Sequence, residues 1–483
     1  MRRLALLALF AALPASAAPF DKSGISDWTK APAPGTEPAW KPPVAKRMKL
    51  ANGMALLVIE NHALPIVAMS LLVPGAGGAA DPAGKGGLAS FTADLLDEGT
   101  AGMSALAIAE EEDRLGARIG TGAGVDAATI SISTLAKTLE PTLELATKLI
   151  TQPAFDDNEL ARVKGDRVTS LDLRRDRPRE VAGIVLSGAL YGATTPYGHP
   201  AAGVREDFKT FTGEDVKAFY KAHYTPSAMT LVVAGDVAPA ALKKLLDAGL
   251  GAWKPAGAKP PGKPVATPAK LASRLLLVDR PSAAQSDVRI GLVGPARKDP
   301  RYFAFEVLRT TLGDGFTSRL TQRLREQLGI TYGAGAIMDW RLQPGPFVIA
   351  TAIVTPETGK GVSEIIKIVD DLATNDVPAA ELDKSKQNMI RALPSLFETN
   401  AATAGAFASL ALHNLPDDWY ARYADSVRKV TAKDVKAVAK ALVPSNKLVF
   451  AVVGDLAKVR GDLDKLGLGA AALHDQYGMA LKK

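Results

Sequence analysis

Apolar residues in this chain cluster in short uninterrupted runs and in longer stretches of helical spacing. Ala55 to Glu60, Ile66 to Val73, Leu231 to Ala234, Leu275 to Asp279, Val288 to Val293 and Leu448 to Val453 are runs bounded by turn residues, so they predict strands. Between them lie helical patterns with legible ends. Thr212 and Thr431 each precede apolar residues at helical spacing and predict N-caps. Residues 317–328 predict an amphipathic helix, stopped by Gly329 in a left-handed C-cap, with Tyr332 entering a strand.

The order of these elements repeats. Asp215-Val216-Lys217-Ala218 matches Asp434-Val435-Lys436-Ala437, and Gly235-Asp236 matches Gly454-Asp455, each 219 residues apart. Two halves of about 200 residues are too long for solenoid units and imply a duplication. Each half runs strands, helices, closing strand. The fold class is therefore α+β, with helices packed on a mostly antiparallel sheet in each half.

Three segments break the pattern. Residues 1–17 have the form of a signal peptide, with Arg2 and Arg3 ahead of the apolar run Leu4 to Leu13 and the small residues Ala15-Ser16-Ala17 at a cleavage site. That run is too short to span a bilayer, which takes about 20 residues. The expected location is the periplasm, with no membrane attachment once the signal is cleaved. Residues 18–47 predict an extended arm, and the Pro-rich residues 254–270 predict a semi-rigid linker. These bounds give an N-terminal domain at 48–253 and a C-terminal domain at 271–483.

Composition removes several chemistries. The chain has 483 residues and no cysteine, which excludes disulfides, thiolate metal sites and a Cys nucleophile. Net charge is +7, or +5 without Arg2 and Arg3. The densest basic stretch, Arg162 to Arg179, is interleaved with Asp166, Asp172 and Asp176 and reads as a solvated helix face, not a nucleic-acid patch. Gly75 to Gly78 and Gly313-Asp314-Gly315 lack the spacing of nucleotide loops. His62, His199, His223, His413 and His474 are scattered, with no two within a helical turn.

Several stretches together resemble the landmarks of the pitrilysin/insulinase-type, or inverted-zincin, metallopeptidases: Leu50-Ala-Asn-Gly-Met54, Gly87-Leu88-Ala89, Leu95 to Thr100, Pro196-Tyr197-Gly198-His199-Pro200, Tyr224-Thr225-Pro226 and Ser318-Arg319-Leu320. The resemblance covers roughly residues 48–460 and implies a two-half unit that closes like a clamshell on a second one. The family motif H-x-x-E-H puts two zinc-binding His on one helix face, with a Glu that activates the bound water. Aligned on the landmarks, the His positions hold Ser90 and Asp94, the base position holds Ala93, and the distal Glu falls near Thr169 or Ser170, within Arg167 to Leu171, neither of them a good zinc ligand. The resemblance thus implies a degenerate chain with no metal site and no cofactor of its own.

Two other family features bear on substrate. An Arg and a Tyr seven residues apart reach across the clamshell in the family, and Arg325 and Tyr332 keep that spacing. Arg325 can hold a carbonyl or carboxylate, and the Tyr332 hydroxyl can donate to an oxyanion. Gly116 to Gly124 occupies the position of an edge strand that pairs with substrate backbone, although Gly120 replaces the family's Asn and four glycines weaken the strand. The function expected is the non-catalytic subunit of a periplasmic heterodimeric zinc metalloendopeptidase. A paralogous subunit would bring the zinc, Arg325 and Tyr332 would act in trans, and peptides would be the substrates. The alternatives are a peptide-binding or scaffold protein, and a zinc peptidase with non-standard ligands.

Overall fold

The computed structural model describes residues 40–255, 271 and 273–481. The signal segment 1–17, most of the arm and residues 256–270 of the linker lie outside the described residues.

Two six-stranded sheets carry the fold. The first contains β1 (Lys46–Lys49), β2 (Ala55–Glu60), β3 (Ile66–Pro74), β6 (Arg118–Ala123), β7 (Ala127–Leu135) and β8 (Thr230–Gly235), in the order β1-β2-β8-β3-β7-β6. A small ribbon, β4 (Gly99–Thr100) with β5 (Met103–Ser104), stands apart. The second sheet contains β9 (Leu275–Asp279), β10 (Gln285–Val293), β11 (Thr331–Met338), β12 (Pro346–Val354), β13 (Val449–Gly454) and β14 (Ala472–His474), in the order β11-β12-β10-β13-β9-β14. The two orders correspond strand for strand along the five shared positions, β2-β8-β3-β7-β6 against β9-β13-β10-β12-β11. Pairing is antiparallel except where β2 meets β8 and where β9 meets β13 and β14. The duplication extends to the caps. Thr212 and Thr431 each close a reciprocal capping box, with Asp215 and Asp434.

The continuous apolar runs have a tertiary explanation. In β2, Leu56 and Val58 face the helices of their own half, while Leu57 and Ile59 face the other way. In β8 the alternation is Leu231 and Val233 against Val232 and Ala234. The second face of this sheet is covered by the helix Asn400–Leu412 of the C-terminal half, through Ala404, Phe407 and Ala408. The exchange is reciprocal. Leu276 and Val278 of β9 and Val449, Ala451 and Val453 of β13 pack under the helix Pro178–Tyr191 of the N-terminal half, through Val181, Val185 and Leu186. Strand β7, next to the edge strand β6, lacks such a cover and shows ordinary alternation, with Ile130 and Ile132 buried and Thr129, Ser131 and Ser133 exposed.

Polar ties reinforce the exchange. Tyr197, from the Pro-Tyr-Gly-His-Pro landmark, donates to Asp126 Oδ1 at 2.6 Å and accepts from the Gln343 amide at 3.0 Å, and Asp126 Oδ2 accepts from the Leu342 amide at 2.8 Å. Arg341 lies over the Tyr197 ring at 4.8 Å. At the other exchange, Asn400 donates to the Ile66 carbonyl at 2.9 Å and accepts from Asn61 at 2.8 Å. Residues 42–483 accordingly form one compact unit.

One element departs from expectation. Residues 317–328 do not form a regular α-helix, because Thr321–Gln327 is wound as a π-helix. The Leu328 amide bonds the Arg323 carbonyl at 3.1 Å and the Ile330 amide reaches the Leu324 carbonyl at 3.0 Å. Local spacing cannot reveal this widening. Leu320 and Leu324 are fully buried, and Arg319 is clamped by Glu381 at 2.7 and 2.9 Å.

Because the halves share their cores, they should unfold together. Phe407→Ala is expected to cost about 3–5 kcal/mol and to lower a single denaturation midpoint, followed by tryptophan fluorescence. Two separated transitions would contradict the interlocked arrangement.

Candidate functional site

The helix Leu88–Asp94 starts at Gly87, whose φ of 97° only glycine adopts readily; a Cβ there would also lie 2.6 Å from the Gly203 Cα. Its N-terminus is held by a buried carboxylate. Asp81 Oδ2 accepts from the Gly87 amide at 2.6 Å and Oδ1 from the Ala89 amide at 2.7 Å. Asp207 accepts from the Gly86 amide at 2.8 Å. Burial pushes the Asp81 carboxyl up to about 7, against the opposing pull of those two amides.

Ser90 and Asp94, four residues apart, share one face of this helix. A single side chain from the helix Asp157–Asp172 meets both. Arg167 forms an ion pair with Asp94 through Nη2, while its Nη1 donates to Ser90 Oγ at 3.3 Å and to the Ala202 carbonyl at 3.1 Å. Burial raises the Asp94 carboxyl, and Arg167 draws it back down. Ala93 is wholly buried in the first core, so nothing at that position can take a proton.

The sequence places the distal position near Thr169 or Ser170, within Arg167 to Leu171. Thr169 and Ser170 are exposed, and the Thr169 hydroxyl donates to the Gly165 carbonyl one turn back at 3.0 Å. Arg167 is the residue of that segment that reaches the motif face. A part-buried acid such as Asp94 needs a counter-charge, and that need was the available signal for Arg167. The residues present do not fit zinc. Ser90 is a poor ligand, Asp94 is engaged, and a guanidinium occupies the approach and repels a second cation. Among the described residues no group of three or more His, Cys, Asp or Glu could hold a metal ion. His62 instead pairs with Asp236 at 2.7 Å, and His223 stacks on Phe219 at 4.2 Å.

In the C-terminal half the structure brings Arg325 and Tyr332 together. The guanidinium lies 5.0 Å from the Tyr332 ring and 5.1 Å from that of Phe316, which sequence reasoning missed. Tyr332 is 85% exposed and Phe316 69% exposed, so two large rings stand in solvent beside the part-buried Arg325, which also pairs with Glu326 at 3.3 Å. Arg325 sits on the π-helix and Gly329 takes φ +65°, which reverses the chain into β11. Gly116 to Gly124 contributes β6, which is indeed an edge strand, paired with β7 on one side only.

Two predictions follow from the motif helix. Installing Ser90→His, Ala93→Glu and Asp94→His should give no zinc uptake while Arg167 remains, whereas adding Arg167→Glu should give about one zinc per chain by metal analysis, since three converging ligands suffice. The second concerns pH. Asp81 keeps its proton in the folded chain up to about pH 7, while in the unfolded chain it ionises near 3.8. The folded state then binds the extra proton between those values, so stability from this group falls as pH rises from about 4 to 7. Asp81→Asn should flatten that part of the thermal-midpoint profile; an unchanged slope would exclude Asp81 as its source.

Residues 210–389 match the family model described as "Peptidase M16 inactive domain". A Bacillus subtilis protein named as an uncharacterized zinc protease is 24% identical over 359 residues, covering 74% of this chain and 85% of that protein. A Helicobacter pylori protein named as a non-peptidase homolog is 24% identical over 403 residues, covering 83% of this chain and 91% of that one. The crystal structure of a peptidase M16 inactive domain from Pseudomonas fluorescens superposes with a TM-score of 0.79 at 26% identity, over 85% of this chain and 98% of that one. With the sheet order and the landmarks, these matches identify the chain as a member of the peptidase M16 family, of the pitrilysin/insulinase type, and its sequence holds no H-x-x-E-H motif.

Proposed function

We propose that this chain is the non-catalytic subunit of a heterodimeric zinc metalloendopeptidase of the periplasm, and that it lends Arg325 and Tyr332 to peptide bound at a partner's zinc. The observation that carries this reading is the exposed Phe316–Arg325–Tyr332 group. A cation held between two solvent-facing rings has little structural use on a lone chain, because exposed aromatic surface is normally buried against something. The disabled Ser90–Asp94–Arg167 face supports the same reading, since hydrolysis then requires zinc from elsewhere. In this scheme the partner is a zinc-bearing paralogue. Arg325 orients the substrate carbonyl or carboxylate through its planar fork, and Tyr332 donates to the oxyanion that forms on attack. The open edge of β6 can pair with extended peptide backbone.

Peptide hydrolysis is measured for this chain, for an H-x-x-E-H paralogue from the same organism, and for the mixture. Activity is expected only in the mixture, with zinc only in the paralogue. Tyr332→Phe should lower kcat of the mixture about 10²-fold without changing the fold, because the side chain is exposed. Full activity of the paralogue alone would sink the proposal and favour a scaffold role for this chain.

A further inference from the structure

The C-terminal half contains a cleft of about 790 Å³ that the peptidase reading does not use. It lies among the helices Tyr302–Gly313, Ala379–Ala392, Asn400–Leu412 and Trp419–Arg428, well removed in sequence from the Ser90 face. Its central cation is Arg297, in the loop after β10. The Arg297 guanidinium carbon lies 3.9 Å from the Tyr302 ring centroid, 4.7 Å from Trp419 and 5.5 Å from Trp340. Its Nη1 is enclosed and has no hydrogen-bond partner, and among the described residues Arg297 makes no ion pair.

The surroundings leave this charge unbalanced. Arg309, on the same cleft, is satisfied by Glu306 and Asp314, each at 3.1 Å. Those two carboxylates are therefore spent on Arg309, and Glu306 also accepts from Trp340 Nε1 at 3.2 Å. His413 lines the cleft as a buried, neutral imidazole. Burial, then the nearby charges of Arg297 and Lys298, push it down to about 4. A charged N–H that is enclosed without an acceptor costs more than the aromatic faces return. The missing component is an acceptor with a negative charge. One unpaired guanidinium fits a carboxylate better than a polyphosphate, and the indole walls fit an apolar or aromatic group beside it.

We propose that this cleft binds an organic carboxylate bearing an aromatic or large apolar group, with the carboxylate on Arg297 and the apolar group against Trp340 and Trp419. The same chemistry occurs at the C-terminus of a peptide and in a small free acid. The site does not rest on the partnered-subunit reading, because its binding is read on this chain alone.

The test uses the full chain without any partner. The probes are tetra-alanyl-phenylalanine with a free C-terminus, its C-terminal amide, and N-acetylphenylalanine, followed by calorimetry and by the fluorescence of the wall tryptophans. The free-acid peptide should bind at least about 10-fold tighter than the amide, the worth of a charge-assisted hydrogen bond. Arg297→Met, which keeps the packed stem, should abolish that preference. Tighter binding of the peptide than of N-acetylphenylalanine makes a peptide end the ligand, and equal binding makes a small acid sufficient. Equal affinity for acid and amide on the native chain would overturn the proposal, as would an unchanged preference in Arg297→Met or no binding of any probe at about 1 mM.

Discussion

A strand with large apolar side chains on both faces cannot remain at the surface, and the central strands of both sheets are of this kind. Leu57, Ile59, Val232 and Ala234 on one sheet, and Leu276, Val278, Val449, Ala451 and Val453 on the other, must be covered after each half has built its own core. The halves solve this by exchange, each sending one helix across the other's sheet. Burial of this size dominates folding energetics. It also fixes the relative position of the halves, so that β6 and β11, at equivalent edges of their sheets, are both held by a rigid frame.

Within that frame one polar cluster joins the helix Leu88–Asp94 to the helix Asp157–Asp172. Arg167 puts a positive charge between Ser90 and Asp94 and also reaches the Ala202 carbonyl, beyond the next helix Pro178–Tyr191. The helix Leu88–Asp94 takes its entry geometry from Gly87 and Asp81. The face is closed by an ion pair, which leaves no room or charge balance for a cation.

Two arginines of the C-terminal half lie against aromatic rings. Arg325 is bracketed by two solvent-facing rings, and Arg297 is bracketed by three aromatic rings with one nitrogen unsatisfied. Asp314 and Gly315 line the cleft around Arg297, and Phe316, the next residue, leads to Arg325. The π-helix carrying Arg325 lies against β11, so the strained winding coincides with the exposed group.

Much of this was legible along the chain. The strands, the duplication, the two Thr caps and the αL turn at Gly329 follow from local periodicity, capping chemistry and spacing, which depend on near neighbours alone. Other features depend on residues far apart in sequence. Apolar runs announced strands buried on both faces but not which helix covers them. Residues 317–328 announced a helix but not its π winding, found where Leu320 and Leu324 are buried and Arg319 is clamped by Glu381. Counting narrowed the distal position to the segment Arg167 to Leu171, but a helix rotates about 100° per residue, so packing decides which member meets Ser90 and Asp94, and it is Arg167. The meeting of Phe316 with Arg325, and of Arg297 with Trp340 and Trp419, is likewise decided by tertiary packing, because side chains from separate segments converge only once the backbone has folded.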